Sequence, residues 1–300
     1  MIKVRKILFI LLVLPSAAFA VDMEGMENNI IRELLEVRKK KTYEAMFKQN
    51  EIVKQEVRKA LRYDETFKYD FDSLGQYMGT LTSPDGAFRI FNWNFEKPNG
   101  EHMYFGFIMK YDERKKEYRY IELFDKSGSL ANIEIQKKAL DERRWFGALY
   151  YKIIPFKKGA KTYYTLLGWD GNNKLSKKKI IEVMAFSGNK AKFGFPLFKQ
   201  EDDQWFRRVV FEYSSNATMS LKQYQMKKDQ MIVFDHLSPS SGALKGHYEH
   251  YFPDGSFDSY ILENGKWYFK KDPDARGQKD YKDKLYERPK EAHPKDTRNN

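Results

Sequence analysis

The 300-residue chain contains no cysteine. This absence excludes disulfide bonds, thiolate nucleophiles, cysteine metal sites and a lipid attached to a cysteine. Histidine is scarce as well, with five residues in the whole chain. Stability must therefore come from packing, and a composition of 41% hydrophobic and 16% aromatic residues indicates a globular protein of one or two domains.

The sequence also lacks the short motifs of several enzyme classes. It has no G-x-S-x-G nucleophile elbow, no G-x-G-x-x-G dinucleotide motif and no G-x-x-x-x-G-K-[ST] phosphate loop. Acidic residues are scattered throughout, which leaves hydrolysis by a carboxylate pair open. The sequence therefore predicts no catalytic residue and no cofactor, and it favours a binding function over an enzymatic one.

Long hydrophobic runs are absent except at the N terminus. There, Lys3, Arg5 and Lys6 precede the apolar run ILFILLVLP, which is followed by Ala18-Phe19-Ala20. This order of charge, apolar run and small residues predicts a secretory signal peptide over 1–20, and hence an exported protein. No later run approaches the ~18 apolar residues of a spanning helix, so no transmembrane segment is predicted in the mature chain.

Basic residues outnumber acidic ones by 54 to 42, a net charge of +12. Without the three basic residues of the signal peptide the balance is 51 to 42, or +9. Such an excess favours an anionic glycan, a lipid surface or an acidic protein face as neighbour, whereas nucleic acid is not expected outside the cytoplasm. Because both signs alternate along segments such as YDERKKEYR (111–119), a solvated mixed-charge surface is favoured over a dedicated anion groove.

The segment 21–65 is predicted to be helical. Ile30 and Leu34 recur at four-residue spacing, as do Val53, Val57 and Leu61, with charged residues between them and no proline. The pattern fits either one long helix or a helical pair.

The segment 66–269 is predicted to be a β-rich domain. Short runs rich in aromatic and β-branched residues alternate with turn pairs, so the fold class is mainly β, an antiparallel meander forming a sandwich, a barrel or a small propeller. Pro84-Asp85-Gly86 and Pro253-Asp254-Gly255 both predict tight turns between strands. A short helix is predicted at 139–144, and the charged tail 270–300 is predicted to be disordered.

The run FRIFNWNF (88–95) carries apolar side chains on both of its faces. Phe91, Trp93 and Phe95 share one face of such a strand, and Phe88 with Ile90 the other. We therefore expect this strand to be covered on both sides.

His247 and His250 are candidate metal ligands, and His236 and Glu249 are close to them in sequence. If 247–252 is a strand, the first two histidines point to opposite faces, and a zinc site needs three or four convergent ligands. No metal site is therefore predicted.

The loop GWDGNNKLSKKKIIE (168–182) begins like a calcium loop. The match fails at Lys174, Leu175 and Ile181, so a polar hairpin loop is favoured. Its exposed side chains beside a tryptophan are suited to contact a sugar. The candidate ligand-binding residues are Trp169, Asp170, Asn172 and Asn173.

Several segments carry a resemblance to a known family: SPDGAFRIFNW, GALYYKI, YYTLLGWDGNNKLSKKKIIEV, KFGFPLF and FPDGSFDSYILENGKWYFKKDPDAR. From about residue 70 to 276 the chain resembles an uncharacterised family of exported proteins from Bacteroidota. The resemblance implies a secreted protein of a Gram-negative cell, and hence a location that is periplasmic or outer-membrane-associated. It implies no catalytic residues.

The sequence supports two hypotheses about function. The first is a non-enzymatic periplasmic or envelope-associated protein that binds a partner protein within an envelope assembly. Its contacts would come from the charged N-terminal helix, the basic tail or an exposed sheet edge. The alternative is a secreted carbohydrate-binding or glycoside-hydrolysing protein, because aromatic-rich β scaffolds present platforms for sugar rings.

Overall fold

A computed structural model describes residues 21–130, 134–226 and 229–271. Of these residues, 48% lie in strands and 24% in helices, and two helices precede the strands. The prediction of a mainly β fold with an N-terminal helical segment is therefore confirmed. The predicted signal peptide lies outside the described residues, as does the predicted tail from residue 272 onward. The prediction of a disordered tail from residue 270 is wrong for its first two residues, which belong to the strand Lys266–Lys271. None of the helices in the three described ranges is long and apolar enough to cross a membrane.

The helical segment is a pair of helices, α1 (Met23–Lys39) and α2 (Tyr43–Ala60). Each begins at a capping side chain that accepts a backbone N–H: Asp22 caps α1 and Thr42 caps α2. The buried residues of both helices recur at intervals of three or four, which turns one apolar face of each toward the strands.

The strands of the described residues are, in chain order, β1 (Gly79–Thr82), β2 (Phe88–Glu96), β3 (His102–Asp112), β4 (Glu117–Phe124), β5 (Leu140–Asp141), β6 (Leu149–Lys158), β7 (Lys161–Asp170), β8 (Ser176–Ser187), β9 (Lys190–Phe193), β10 (Phe198–Lys199), β11 (Trp205–Phe206), β12 (Arg208–Ser214), β13 (Leu221–Met226), β14 (Asp229–Pro239), β15 (Tyr251–Glu263) and β16 (Lys266–Lys271). A short helix, α3 (Ser127–Leu130), follows β4. Single 3₁₀ turns occupy Asp64–Phe67, Leu74–Gln76, Ile135–Lys137, Glu142–Arg144, Gly242–Leu244 and Tyr248–His250.

These strands form three sheets. The first sheet has the order β1-β2-β3-β4; the second has the order β5-β9-β8-β7-β6, with β12 also paired to β8. The third has the order β11-β10-β16-β15-β14-β13. All strand pairs in these sheets are antiparallel except β10 with β16. The chain enters the third sheet at β10 and β11, returns to the second sheet at β12, and completes the third sheet with β13 to β16.

Three apolar clusters separate four layers: the helices, the first sheet, the second sheet and the third sheet. Phe91, Trp93 and Phe95 pack against the helices, whereas Phe88 and Ile90 pack against the second sheet. The predicted covering of β2 on both sides is thus confirmed. Among the alternatives of sandwich, barrel and propeller, the observed arrangement is a stack of sheets.

The two Pro-Asp-Gly segments differ in structure. Pro84-Asp85-Gly86 is the predicted turn between β1 and β2. The prediction for Pro253-Asp254-Gly255 is wrong, because these residues lie within the continuous strand β15. They form a bulge: the pairing shifts from Asp235 with Phe257 to Leu237 with Pro253, and Gly255 takes a φ of +89°.

Two further local predictions need correction. The predicted strand around Tyr248 is a 3₁₀ turn over Tyr248–His250, and β15 starts only after it. The predicted short helix at 139–144 is a two-residue strand, β5, followed by a single 3₁₀ turn at Glu142–Arg144.

Candidate functional site

A polar cleft opens where the helices, the first sheet and the second sheet meet. Its volume is about 480 Å³. It is bounded by the start of α2, the β2–β3 hairpin, the segment after β4 and the β7–β8 loop. The lining residues are Tyr43, Lys97, Glu101, His102, Met103, Asp125, Lys126, Ser127, Gly128, Ser129, Phe146, Asp170, Asn172, Asn173 and Lys178.

Asp170, at the end of β7, is the most buried acidic residue of the polar cleft, with 4% of its surface exposed. Its Oδ1 accepts hydrogen bonds from Tyr104 Oη (2.7 Å) and from the backbone N–H of Asn172 (2.7 Å). Its Oδ2 has no hydrogen-bond donor among the described residues. Burial raises the pKa of Asp170, although these two bonds and the charge of Lys178 act in the opposite direction.

Tyr104 connects two of the three acidic residues that line the cleft, Asp125 and Asp170. While its hydroxyl donates to Asp170 and accepts from Gly171 N (2.7 Å), its backbone N–H donates to Asp125 Oδ2 (3.0 Å). The other oxygen, Asp125 Oδ1, accepts from both the backbone and the hydroxyl of Ser127. Both oxygens of Asp125 are therefore engaged in positioning β3 and the start of α3.

The amide of Asn172 holds the β7–β8 loop in shape. Asn172 has a φ of +50°, which asparagine tolerates better than most residues. Its Nδ2 donates to Ser176 Oγ (2.7 Å) and Glu212 Oε1 (3.2 Å), and its Oδ1 accepts from Lys178 Nζ (2.8 Å). Every polar atom of this amide is thus used within the protein.

Asn173 is only partly engaged. Its Oδ1 accepts the backbone N–H groups of Leu175 (2.8 Å) and Ser176 (3.0 Å), as in an Asx turn. Its Nδ2 has no acceptor within the described part of the chain. This amide is therefore free to donate to a group in the polar cleft.

The imidazole of His102, at the start of β3, lines the cleft and is uncharged. Burial lowers the pKa of its imidazole, and Asn94 Nδ2 donates to its Nδ1 (2.7 Å), which places the proton on Nε2. The ring packs against Gly171, where a Cβ would lie 2.3 Å from Nε2. The indole of Trp169 meets the same ring edge-on, with 5.7 Å between ring centroids.

Three lysines face the polar cleft and differ in their partners. Lys97 forms an ion pair with Glu101 at 2.5 Å, and Lys178 lies 3.7 Å from Glu212. Lys126 is exposed and forms no ion pair with any described residue. Because lysines and carboxylates are interleaved here, the cleft presents both donors and acceptors rather than a single charge.

Three of the four ligand-binding residues predicted from sequence, Asp170, Asn172 and Asn173, line the polar cleft, and Trp169 supports its histidine wall. The sequence did not indicate Tyr104, Asp125, His102 or Lys126. These lie more than forty residues before the loop, and only the packing of the first sheet on the second brings them to it.

The candidate metal ligands His236, His247 and His250 do not converge on a common site. His236 Nδ1 lies 2.6 Å from Asp258 Oδ2 and its Nε2 3.8 Å from Asp254, while His247 lies 3.7 Å from Glu249. Across the described ranges, no three or more His, Asp or Glu side chains are arranged to hold a metal ion.

Comparison with protein-family models, with curated proteins and with solved structures found no match to this chain. The resemblance to exported Bacteroidota proteins therefore stays a prediction.

Proposed function

We propose that this protein is a non-enzymatic binding protein of the cell envelope, and that its polar cleft takes a hydroxyl-rich ligand such as a sugar unit of an envelope glycan. One observation carries the proposal. In a cleft whose other polar groups are largely paired, Asp170 Oδ2 and Asn173 Nδ2 lack partners among the described residues. They provide one acceptor and one donor.

A sugar hydroxyl can donate and accept at once, so it suits such a pair. Asp170 Oδ2 accepts from the hydroxyl, while Asn173 Nδ2 and the exposed ammonium of Lys126 donate to neighbouring oxygens. The ring of Tyr43, 37% exposed at the cleft edge, offers an apolar face to the ring carbons. The balance of charges favours a neutral or weakly anionic glycan over a strongly anionic lipid surface.

The geometry supports binding better than hydrolysis. A glycoside hydrolase needs two available carboxyl groups flanking the bond. Asp170 has one free oxygen, but both oxygens of Asp125 are occupied, and Glu101 is paired with Lys97. Among the acidic residues that line the cleft, Asp170 therefore has no unpaired carboxylate partner.

A glycan array of envelope polysaccharides and peptidoglycan fragments tests the proposal. The mature chain is expected to bind at least one glycan, and Asn173→Ala and Lys126→Ala are expected to weaken that binding. Lys222→Ala serves as the matched control, because Lys222 is an exposed lysine on β13 in the third sheet. Binding to no glycan, or equal weakening by Lys222→Ala, contradicts the proposal.

A second candidate is the binding of an envelope protein partner, which a different surface supports. From 235 to 257 the chain forms an arm, consisting of the ends of β14 and β15 and their connection, in which no residue is buried. Three of its aromatic side chains are exposed: Tyr248 (48%), Phe252 (37%) and Phe257 (44%). Exposed aromatic residues of this kind are enriched at protein interfaces.

The arm is tested by affinity purification from native envelope membranes. A partner that binds the arm is recovered in stoichiometric amount with the wild type and is lost with the double variant Tyr248→Ser/Phe252→Ser. The control Tyr224→Ser changes an exposed tyrosine of β13 and is expected to retain the partner. Recovery of the same protein with the double variant contradicts this candidate.

A further inference from the structure

Three exposed aromatic side chains lie beside the polar cleft. Tyr43 and Phe47, one turn apart on α2, are 37% and 39% exposed, and their ring centroids are 6.0 Å apart. Phe124, the last residue of β4, is 46% exposed. Tyr43 lines the cleft itself, and Phe124 directly precedes the lining residue Asp125. We refer to Tyr43, Phe47 and Phe124 as the aromatic strip.

The contacts between α2 and β4 place Phe47 and Phe124 along one seam. Glu122 on β4 forms ion pairs with Lys54 at 2.8 Å and with Arg58 at 2.6 Å. Because an α-helix makes one turn every 3.6 residues, Phe47 lies on the same side of α2 as these two basic residues. Because side chains of a strand alternate, Phe124 lies on the same face of β4 as Glu122. Both rings therefore border the seam between α2 and β4.

The seam leads to the polar cleft. Along α2, Phe47 and then Tyr43 lie on the N-terminal side of the ion-paired residues, and along β4, Phe124 follows Glu122. The helix and the strand run in opposite directions, because Tyr43 at the start of α2 and Ser127 just after β4 line the same cleft. The aromatic strip thus occupies the stretch between the ion pairs and the cleft, and it continues the cleft along the surface.

A glycan chain is the occupant that fits both surfaces. Tyr43 belongs to the cleft and to the aromatic strip, so a ligand bound in the cleft meets the first ring of the strip. Pyranose rings with equatorial substituents present C–H bonds on their two faces, and such faces pack on aromatic rings as other apolar surfaces do. β-1,4 linkages keep a glycan chain extended, whereas α-1,4 linkages curl it. Because the strip follows a helix and a strand, an extended chain fits it better.

We propose that the ligand of the polar cleft is a linear β-1,4-linked glycan of several sugar units, and that the aromatic strip binds the units that extend beyond the cleft. This inference rests on the proposed glycan binding by the cleft and adds the linkage and the length of the ligand. Tyr43 contacts the unit at the edge of the cleft, and Phe47 and Phe124 stack on the units that follow. The affinity therefore rises with chain length, and the gain depends on the two phenylalanine rings.

Titration calorimetry with chitobiose and chitohexaose tests the inference. Both are uncharged chains of β-1,4-linked N-acetylglucosamine, with two and six units. The wild type is expected to bind chitohexaose about 5- to 150-fold more tightly than chitobiose, if each phenylalanine ring contributes as much as one stacked aromatic pair. Maltohexaose, an α-1,4-linked chain of six units, is expected to show no such gain over maltose.

A double variant makes the result specific. Phe47→Ser/Phe124→Ser changes two exposed residues, so it is expected to keep the fold, which its melting temperature checks. It is expected to bind chitobiose as the wild type does, and chitohexaose no more tightly than chitobiose. The control Ile52→Ser changes a 38% exposed residue of α2, two positions from Lys54 and therefore on the opposite side of the helix. The control is expected to keep the gain with chain length.

The outcomes separate this inference from the proposed function. Equal affinities of the wild type for the two chitin chains, or an unchanged gain in the double variant, overturn the role of the aromatic strip and leave the polar cleft with a single sugar unit. Failure of both chains to bind also overturns the inference, while the glycan array tests the cleft by itself. If the double variant keeps its glycan affinities but loses a stoichiometric partner in the envelope purification, the strip is a protein interface and the inference is wrong.

Discussion

Tyr104 Oη donates a hydrogen bond to Asp170 Oδ1 over 2.7 Å, and this bond joins the first sheet to the second. Tyr104 lies on β3 and Asp170 at the end of β7, sixty-six residues apart. The same hydroxyl accepts from Gly171 N, so a single buried oxygen fixes the position of the loop that lines the polar cleft.

Tyr104→Phe removes this hydroxyl and leaves the buried N–H of Gly171 without its acceptor. An unpaired buried backbone donor costs about 1–3 kcal/mol, and we expect the free energy of unfolding in urea to fall by that amount. Tyr120→Phe is the matched control, because Tyr120 is 37% exposed and its hydroxyl has no partner among the described residues. Equal unfolding free energies for the two variants would contradict the assigned role of Tyr104.

Gly171→Ala is expected to destabilise the protein by about 1–3 kcal/mol through overpacking, because the new methyl group lies 2.3 Å from His102 Nε2. Thermal or urea unfolding measures the loss. Gly75→Ala, at a position with no atom within 4 Å of the added carbon, is expected to be close to neutral. If the clash is the cause, most of the loss disappears in the double variant His102→Ala/Gly171→Ala, measured against His102→Ala alone.

The bulge in β15 predicts a particular dependence of stability on pH. Hydrogen bonds from the hydroxyls of Ser256 and Ser238 lower the pKa of Asp254 to about 2, from an ordinary value of 3.8. A depressed pKa contributes stability that is present above the ordinary value and is lost as the pH falls through about 2. Because Asp254 is exposed, the effect is modest and weakens with salt.

Unfolding free energies measured between pH 4 and pH 2 test this dependence. The wild type is expected to lose stability more steeply over this range than Asp254→Asn. The double variant Ser238→Ala/Ser256→Ala, which removes the two donors, is expected to show the shallower slope as well. Parallel curves for all three proteins would mean that the bulge does not hold the carboxylate as its geometry indicates.

Local sequence patterns were enough to predict much of the fold. The four-residue spacing of Ile30 and Leu34 predicted a helix with one apolar face, and the alternation in 88–95 predicted a strand buried on both sides. Both patterns depend on the geometry of a single element, which the sequence carries directly. The stacking order of the three sheets depends on contacts between distant strands, and no local pattern encodes it.

The second Pro-Asp-Gly segment shows the limit of turn chemistry. A positive φ at glycine occurs both in tight turns and in bulges, so the tripeptide at 253–255 fits either structure. The bulge is selected by the pairing of β15 with β14 on both sides of His236. That partner lies about twenty residues away, outside the reach of a local pattern.

The polar cleft could be predicted only in part, because a local pattern reveals neighbours in sequence and not contacts between distant strands. Asp170, Asn172 and Asn173 are neighbours in one loop, so their side-chain types indicated a polar site. Tyr104 reaches that loop only through sheet packing. The sequence also could not show that Asn172 is fully engaged within the loop while Asn173 keeps a free amide.

The variant Asp170→Asn is expected to change the affinity for the proposed ligand without lowering the stability of the protein. Burial raises the pKa of Asp170, so this group favours the folded state at low pH and loses that contribution as the pH rises through its folded pKa. Asparagine keeps an oxygen for Tyr104 and removes the buried charge. At pH 7 the free energy of unfolding is therefore expected to be unchanged or higher, and its dependence on pH between 4 and 7 to be flatter than in the wild type.

The most direct test of the proposed function is titration calorimetry of a glycan selected on the array with the wild type and with Asp170→Asn at pH 7. If Asp170 Oδ2 accepts a ligand hydroxyl, its replacement weakens binding about 10- to 150-fold, the value of a hydrogen bond to a charged group, while the protein stays as stable as before. Unchanged affinity in a stable Asp170→Asn protein, or the failure of every glycan on the array to bind the wild type, would contradict the assignment of the polar cleft as a glycan site.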